Sequence, residues 1–157
     1  MAKPVLTLVA LIAAAMLGGA LASQYVWGLH PCPLCIQQRY ALGAAAVVSL
    51  LASRAVGRRV GVFLAFLAGF AFLVNAGLAG FHSGVELKFW GSACSGGLPG
   101  TFDPAALLSG ANVAPRCDEI AWKDPWLGLS MANWNGLVSL VLAFLAFSTL
   151  RKIRPAG

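Results

Sequence analysis

The sequence predicts an all-α membrane protein, a four-transmembrane-helix bundle with two outward loops, and three observations predict it. Apolar residues make up 59% of the 157 residues and charged residues 10%, against roughly a quarter charged in ordinary soluble domains. Mean hydropathy is +0.80, and a soluble fold of this size leaves about a third of its unfolded surface exposed, too much to conceal that composition. Four apolar runs each approach the ~20 residues needed to cross a bilayer core of about 30 Å. The same composition excludes intrinsic disorder, and no repeat supports a collagen-like or low-complexity chain.

All 157 residues read as a single integral membrane domain with helices at about residues 5–27, 35–53, 60–81 and 131–150. The first run, Val5 to Trp27, follows Lys3 and contains Ala20-Leu21-Ala22 before Ser23, which resembles a signal-peptide cleavage site. The apolar run continues past that point through Tyr25, Val26 and Trp27, which favours a retained anchor. The second run needs an earlier start than its composition suggests. From Tyr40 to Ser53 there are about 14 residues, or about 21 Å of helix, too short to span. The helix therefore begins near Pro33 or Cys35, since proline is welcome at a first helical position. The third run is Val60 to Phe81 and the fourth Met131 to Leu150.

Charge sets the orientation. The formal net charge is +6, and seven of the eleven Lys and Arg lie beside apolar runs: Lys3, Arg54, Arg58, Arg59, Arg151, Lys152 and Arg154. That arrangement reads as topology rather than as a nucleic-acid surface. The positive-inside rule places both termini and the Arg54–Arg59 loop in the cytoplasm. The two outward loops are then about residues 28–34 and 82–130. All five acids, Glu86, Asp103, Asp118, Glu119 and Asp124, fall in the longer one. The five Trp (27, 90, 122, 126 and 134) sit on that outer side, where indole rings favour the interface. The stretch from Asp118 to Trp134 mixes apolar and charged residues and is expected to lie on the bilayer surface. Gly96, Gly97, Pro99 and Gly100 mark the preceding stretch as irregular loop and, with no Lys-Ser/Thr following, not a phosphate loop.

All four cysteines, Cys32, Cys35, Cys94 and Cys117, fall outside, where an oxidising compartment lets disulfides persist. Of three possible connectivities, Cys32 with Cys35 and Cys94 with Cys117 needs least geometry. Closing the loop of about 24 residues between Cys94 and Cys117 stabilises by roughly 3 kcal/mol on a chain-entropy account. For that pair a structural staple and a redox role are equally open. A ring of four residues removes little entropy, so Cys32-Pro33-Leu34-Cys35 points instead to thiol exchange or metal binding, and a helix N-terminus favours the thiolate. Zinc would recruit His30 and His82, but the second half of a usual zinc site is missing, so no metal is expected.

Arg39, four residues after Cys35, shares its helix face. An interfacial arginine can simply snorkel, but charge at the hydrocarbon edge is costly and usually functional; it can hold a thiolate or hydrogen-bond a carbonyl. His82 is expected to close the third helix at the same depth, Glu86 to be solvated, Asn75 to bond between helices, and Gly77 and Gly80 to mark close packing.

The string His30-Pro31-Cys32-Pro33-Leu34-Cys35-Ile36-Gln37-Gln38-Arg39-Tyr40 resembles the first outer loop of the disulfide bond formation protein B (DsbB) family. The resemblance extends to His82 followed by Glu86, loop cysteines at 94 and 117, and an aromatic run into the last helix, so that it covers nearly the whole chain. It implies a thiol:quinone oxidoreductase of the bacterial inner membrane, with both termini cytoplasmic. Such an enzyme reoxidises a soluble periplasmic DsbA-like dithiol oxidase and passes electrons to a membrane quinone, ubiquinone or menaquinone. By position, the resemblance assigns Cys94 to the mixed disulfide with the partner and Cys117 to exchange with Cys32. Cys35 would be the thiolate facing the quinone, with Arg39 polarising a quinone oxygen and His82 beside the same ring. Two other readings remain: a specialised paralogue with a dedicated partner, and a non-enzymatic bundle braced by two structural disulfides.

Overall fold

The structure is a computed structural model and describes residues 2–94 and 116–153. Asp103 and the Gly96–Gly100 stretch lie outside the described residues. Four helices account for most of the remainder: α1 (Ala2–Tyr25), α2 (Pro33–Arg54), α3 (Arg59–Glu86) and α4 (Met131–Leu150). Each is long and apolar enough to cross a membrane. No strand occurs among the described residues beyond an isolated antiparallel bridge between Lys123 and Ser130. The chain is an all-α four-span bundle.

α2 starts where a spanning length requires. Pro33 takes the first helical position, its missing N–H costing nothing there, and Cys32 caps it. α3 runs to Glu86 rather than stopping at Phe81. Ser83, Gly84 and Val85 carry no helix-breaking signal, so backbone hydrogen bonding continues. His82 therefore lies inside α3, a turn before its end, and does not close it. The helix stops in a Schellman motif, with Phe89 N–H on the Gly84 carbonyl at 2.9 Å and Lys88 N–H on Val85 at 3.1 Å. Lys88 occupies the left-handed position (φ 62°) that usually takes glycine. Its ammonium is held by the Asp118 carboxylate at 2.6 Å and the Asp118 carbonyl at 3.0 Å.

α3 packs on α2 and α4, and α1 packs on α2 and less extensively on α4. The core is layered. Val9, Ala13, Leu42, Ala45, Phe72, Leu142 and Ala143 bring all four helices together. Ala2, Leu6, Ala52, Ala65 and Ile153 fill the end away from the cysteines; Cys32, Leu34, Val85 and Cys117 fill the other. Small residues dominate inside, while Phe63, Phe70, Val141 and Phe144 point outward. This inversion suits lipid, whose tails are as apolar as the core, so that helices associate by close packing and hydrogen bonds.

The close-packed glycines are not the expected ones. A Cβ at Gly77 or Gly80 would meet nothing within 4 Å, and both line an apolar groove between α3 and α4. A Cβ on Gly69 would come within 2.7 Å of the Phe147 ring, and one on Gly84 would collide with the Trp90 indole. Trp90 folds back over α3, stacks on Phe81 at 5.9 Å, and donates Nε1–H to the Phe81 carbonyl at 3.0 Å.

Candidate functional site

The site forms where the N-terminus of α2 meets the last turns of α3. As N-cap of α2, Cys32 accepts the Cys35 backbone N–H at 3.2 Å on Sγ, as a capping serine would on its hydroxyl. The Cys35 Sγ lies 2.8 Å from the same sulfur, and His82 Nε2 lies 3.6 Å from it on the α3 side. The resemblance puts the quinone-facing thiolate on Cys35; the cap N–H and the imidazole lie nearest the Cys32 sulfur. The cause is positional, because the capping residue faces the free N–H groups whereas Cys35 is already inside the helix. The Cys32 thiol is accordingly pulled down, chiefly by the Cys35 thiol beside it, with burial opposing and His82 and the Cys35 N–H assisting. Neither cysteine is in a disulfide.

His82 is almost fully buried. Its Nδ1 is 2.8 Å from the Gln38 amide nitrogen. The Gln38 oxygen accepts from Asn135 at 2.6 Å, and the Asn135 oxygen accepts from Asn75 at 3.0 Å. The bond expected of Asn75 between helices is therefore present, to Asn135 and also to Ser139 on α4 at 2.8 Å. Gln38, Asn135 and Ser139 were not singled out from the sequence.

Arg39 turns away from the sulfurs toward α1. Its guanidinium donates to the Ala20 carbonyl at 2.7 Å and to Gln24 Oε1 at 2.5 Å, so it does hydrogen-bond a carbonyl. It also lines a cavity of about 540 Å³. Met16, Ala20, Leu42 and Val138 give that cavity apolar walls, and Cys35, Arg39, His82 and Glu86 gather polar atoms along it. Its volume and lining suit a small, largely apolar molecule with a few polar atoms.

Glu86 is not solvated as expected. Its side chain is 7% exposed, because α3 extends far enough to carry it under the start of α4. There it accepts a hydrogen bond from Ser130 Oγ, the N-cap of α4, whose oxygen in turn accepts the Asn133 N–H at 3.2 Å. A Glu86 oxygen lies 3.8 Å from His82 Nε2, a contact rather than a hydrogen bond.

Cys94 and Cys117 are joined in a disulfide with Cα atoms 5.4 Å apart. Cys117 is fully buried and packs with Cys32, Leu34 and Val85, so both cysteine pairs share one cluster; Cys94 is half-buried at its edge. Asp118 anchors this segment to the end of α3. Arg116 and Lys88 hold its carboxyl well below the usual carboxylate range. Beyond it, Trp126 is 90% exposed and Leu127 also faces outward.

Cys32, Cys35 and His82 place three soft ligand atoms within 4.8 Å of one another. A closed structural zinc site requires a fourth, and among the described residues His30 does not join the group.

The chain is similar to known proteins over nearly its whole length. The family described as "Disulfide bond formation protein DsbB" matches residues 2–149. A disulfide bond formation protein B from Herminiimonas arsenicoxydans is 33% identical over 158 aligned residues, covering 96% of each chain. Disulfide bond formation protein B 1 from Pseudomonas fluorescens Pf-5 is 35% identical, covering 89% of this chain and 83% of its own. The protein of the same name from Pseudomonas putida is 36% identical over 87% and 82%. No solved structure matches significantly.

Proposed function

This chain belongs to the disulfide bond formation protein B (DsbB) family, and on that premise we propose that it is a thiol:quinone oxidoreductase. It reoxidises a soluble periplasmic DsbA-like dithiol oxidase and delivers the electrons to a quinone in the bacterial inner membrane, with both termini cytoplasmic. One observation carries the reading. Two cysteine pairs meet in one buried cluster, and one of them lines an apolar cavity that also contains Arg39 and His82.

The exchange steps follow from access. Cys94 is the more exposed sulfur of its disulfide, so a partner thiolate attacks there, breaking the Cys94–Cys117 bond and releasing Cys117 as thiolate. With Cys32 and Cys35 oxidised, Cys117 then attacks Cys32. The Cys32–Cys117 bond forms, the Cys32–Cys35 bond breaks, and Cys35 leaves as thiolate at the cavity wall. The partner's second thiolate then displaces Cys94, releasing the partner as a disulfide, and the Cys94 thiolate attacks Cys117, restoring Cys94–Cys117 and freeing Cys32 as thiolate. The quinone supplies the two-electron, two-proton sink that a strongly oxidising DsbA-type disulfide requires. Arg39 is the donor suited to hold a quinone oxygen, His82 lies beside the same ring, and the apolar walls suit it. Burial of Cys32 and Cys117 limits leakage of electrons to solvent thiols.

The test is anaerobic: purified protein, a ubiquinone or a menaquinone analogue, and a reduced thioredoxin-like dithiol, followed by quinone absorbance with Cys35→Ser in parallel. Loss of absorbance in the wild type alone is expected. No reduction with any quinone and donor would overturn the proposal in favour of a non-enzymatic membrane protein.

A further inference from the structure

Amide side chains in a membrane-embedded bundle are costly unless bonded, and three of them stand in a line that ends on His82. From α4 and α3 toward α2, Asn75 Nδ2 donates to Asn135 Oδ1, Asn135 Nδ2 to Gln38 Oε1, and the Gln38 amide nitrogen faces His82 Nδ1. Asn75 and Gln38 are buried, and Asn75 lies about 10 Å below His82 along α3.

We propose that Asn75, Asn135 and Gln38 form a directional amide relay that fixes His82 as the Nε2–H tautomer, aimed at Cys32, with Asn135 and Gln38 as positioning residues for the sulfur chemistry. This deepens the redox reading and rests on it for its consequence, not for its geometry.

The direction follows from counting donors and acceptors. An amide offers an NH2 at one end and an oxygen at the other, so orienting one member orients the next. With the Gln38 NH2 against Nδ1, that nitrogen must supply its lone pair, and the ring hydrogen sits on Nε2, 3.6 Å from Cys32 Sγ. The reverse orientation would put hydrogen on Nδ1 and turn every amide around. It would place the Asn75 NH2 where its carbonyl oxygen now lies buried without a partner. An orphaned buried donor is less tolerated than an underused carbonyl, so the relay runs toward the sulfur. Cys35 and Glu86 also face His82 and Cys32, and His30, Arg39, Arg116 and Glu119 line the adjoining cavity. Unlike the relay, none of these is bonded to Nδ1 among the described residues.

The test is nitrogen NMR of 15N-histidine-labelled, reduced protein, with His30→Asn to leave one imidazole, together with the rate of Cys32 alkylation between about pH 5 and 8. At the alkaline end of that range, where the ring is neutral, wild type should show the Nε2–H form. Asn135→Leu should give mixed tautomers and alkylation about tenfold slower at the acid end, the scale of one hydrogen bond to a charged group. Gln38→Glu, which presents only acceptor oxygens, should move hydrogen onto Nδ1, so the test survives if Asn135→Leu does not fold. Ser49→Ala, whose hydroxyl bonds only the Ala45 carbonyl of its own helix, should change neither readout. An unchanged tautomer and alkylation profile in folded Asn135→Leu, or Nε2–H retained alone in Gln38→Glu, would overturn the relay. Wild type that fails to reduce quinone while showing these tautomer shifts would remove the redox reading and leave the relay standing.

Discussion

Away from the cysteines, buried Ser49, Ser53 and Thr149 each donate to a carbonyl of their own helix, at 2.6–2.7 Å. Toward the cysteines, Gln38, Asn75, Asn135 and His82 make their shortest bonds across helices, joining α2, α3 and α4. The first arrangement satisfies a hydroxyl locally and leaves helix packing to alanines. The second requires three helices to hold a common register before any partner is found. Burial of polar atoms is therefore uninformative by itself; where the partner comes from separates packing from site construction.

The largest effect that would break this comparison is at the sulfurs. Cys32→Ser should abolish turnover with dithiol and quinone while leaving thermal unfolding close to wild type, because serine can still cap α2. Measurable turnover would remove Cys32 from the path. Phe72→Ala, at the junction of the four helices, should reverse the pattern, lowering stability by about 3 kcal/mol in a reversible detergent unfolding series while retaining the tautomer of His82. Arg39→Ala should raise the quinone KM by about tenfold, the scale of a lost charge-assisted hydrogen bond; an unchanged KM would confine Arg39 to bracing α1. Lys88→Gly trades left-handed strain against an exposed ion pair, so the net change in stability should stay within about 1 kcal/mol. Ser49→Ala should be smallest, within about 0.5 kcal/mol, and a larger loss would show that local hydroxyl bonds also hold the bundle.

The sequence made the spans legible because a bilayer demands length and apolarity, both of which are local. It also made Cys32, Cys35, Arg39 and His82 visible, since those residue types are conspicuous beside hydrocarbon. Gln38, Asn135 and Gln24 were not legible. Their roles arise from partners up to 97 residues away, and an amide carries no chemistry that marks it in isolation. The glycines failed for another reason. α3 is apolar on every side, so no hydrophobic face reveals which positions point inward, and Gly84 could not be told from Gly77 or Gly80. Glu86 was misjudged because a carboxylate near a helix end is ordinarily solvated, and the cover over it comes from Ser130 at the start of another helix.

Both sulfur pairs, Arg39 and His82 lie at one end of the bundle. In the proposed reaction, electrons and protons are thus taken up and released on one side of the hydrocarbon, and no unit charge traverses its thickness. Moving a charge across would be worth about 2.3 kcal/mol per 100 mV of membrane potential. On that proposal the cycle is electroneutral and neither draws on nor charges the energised membrane.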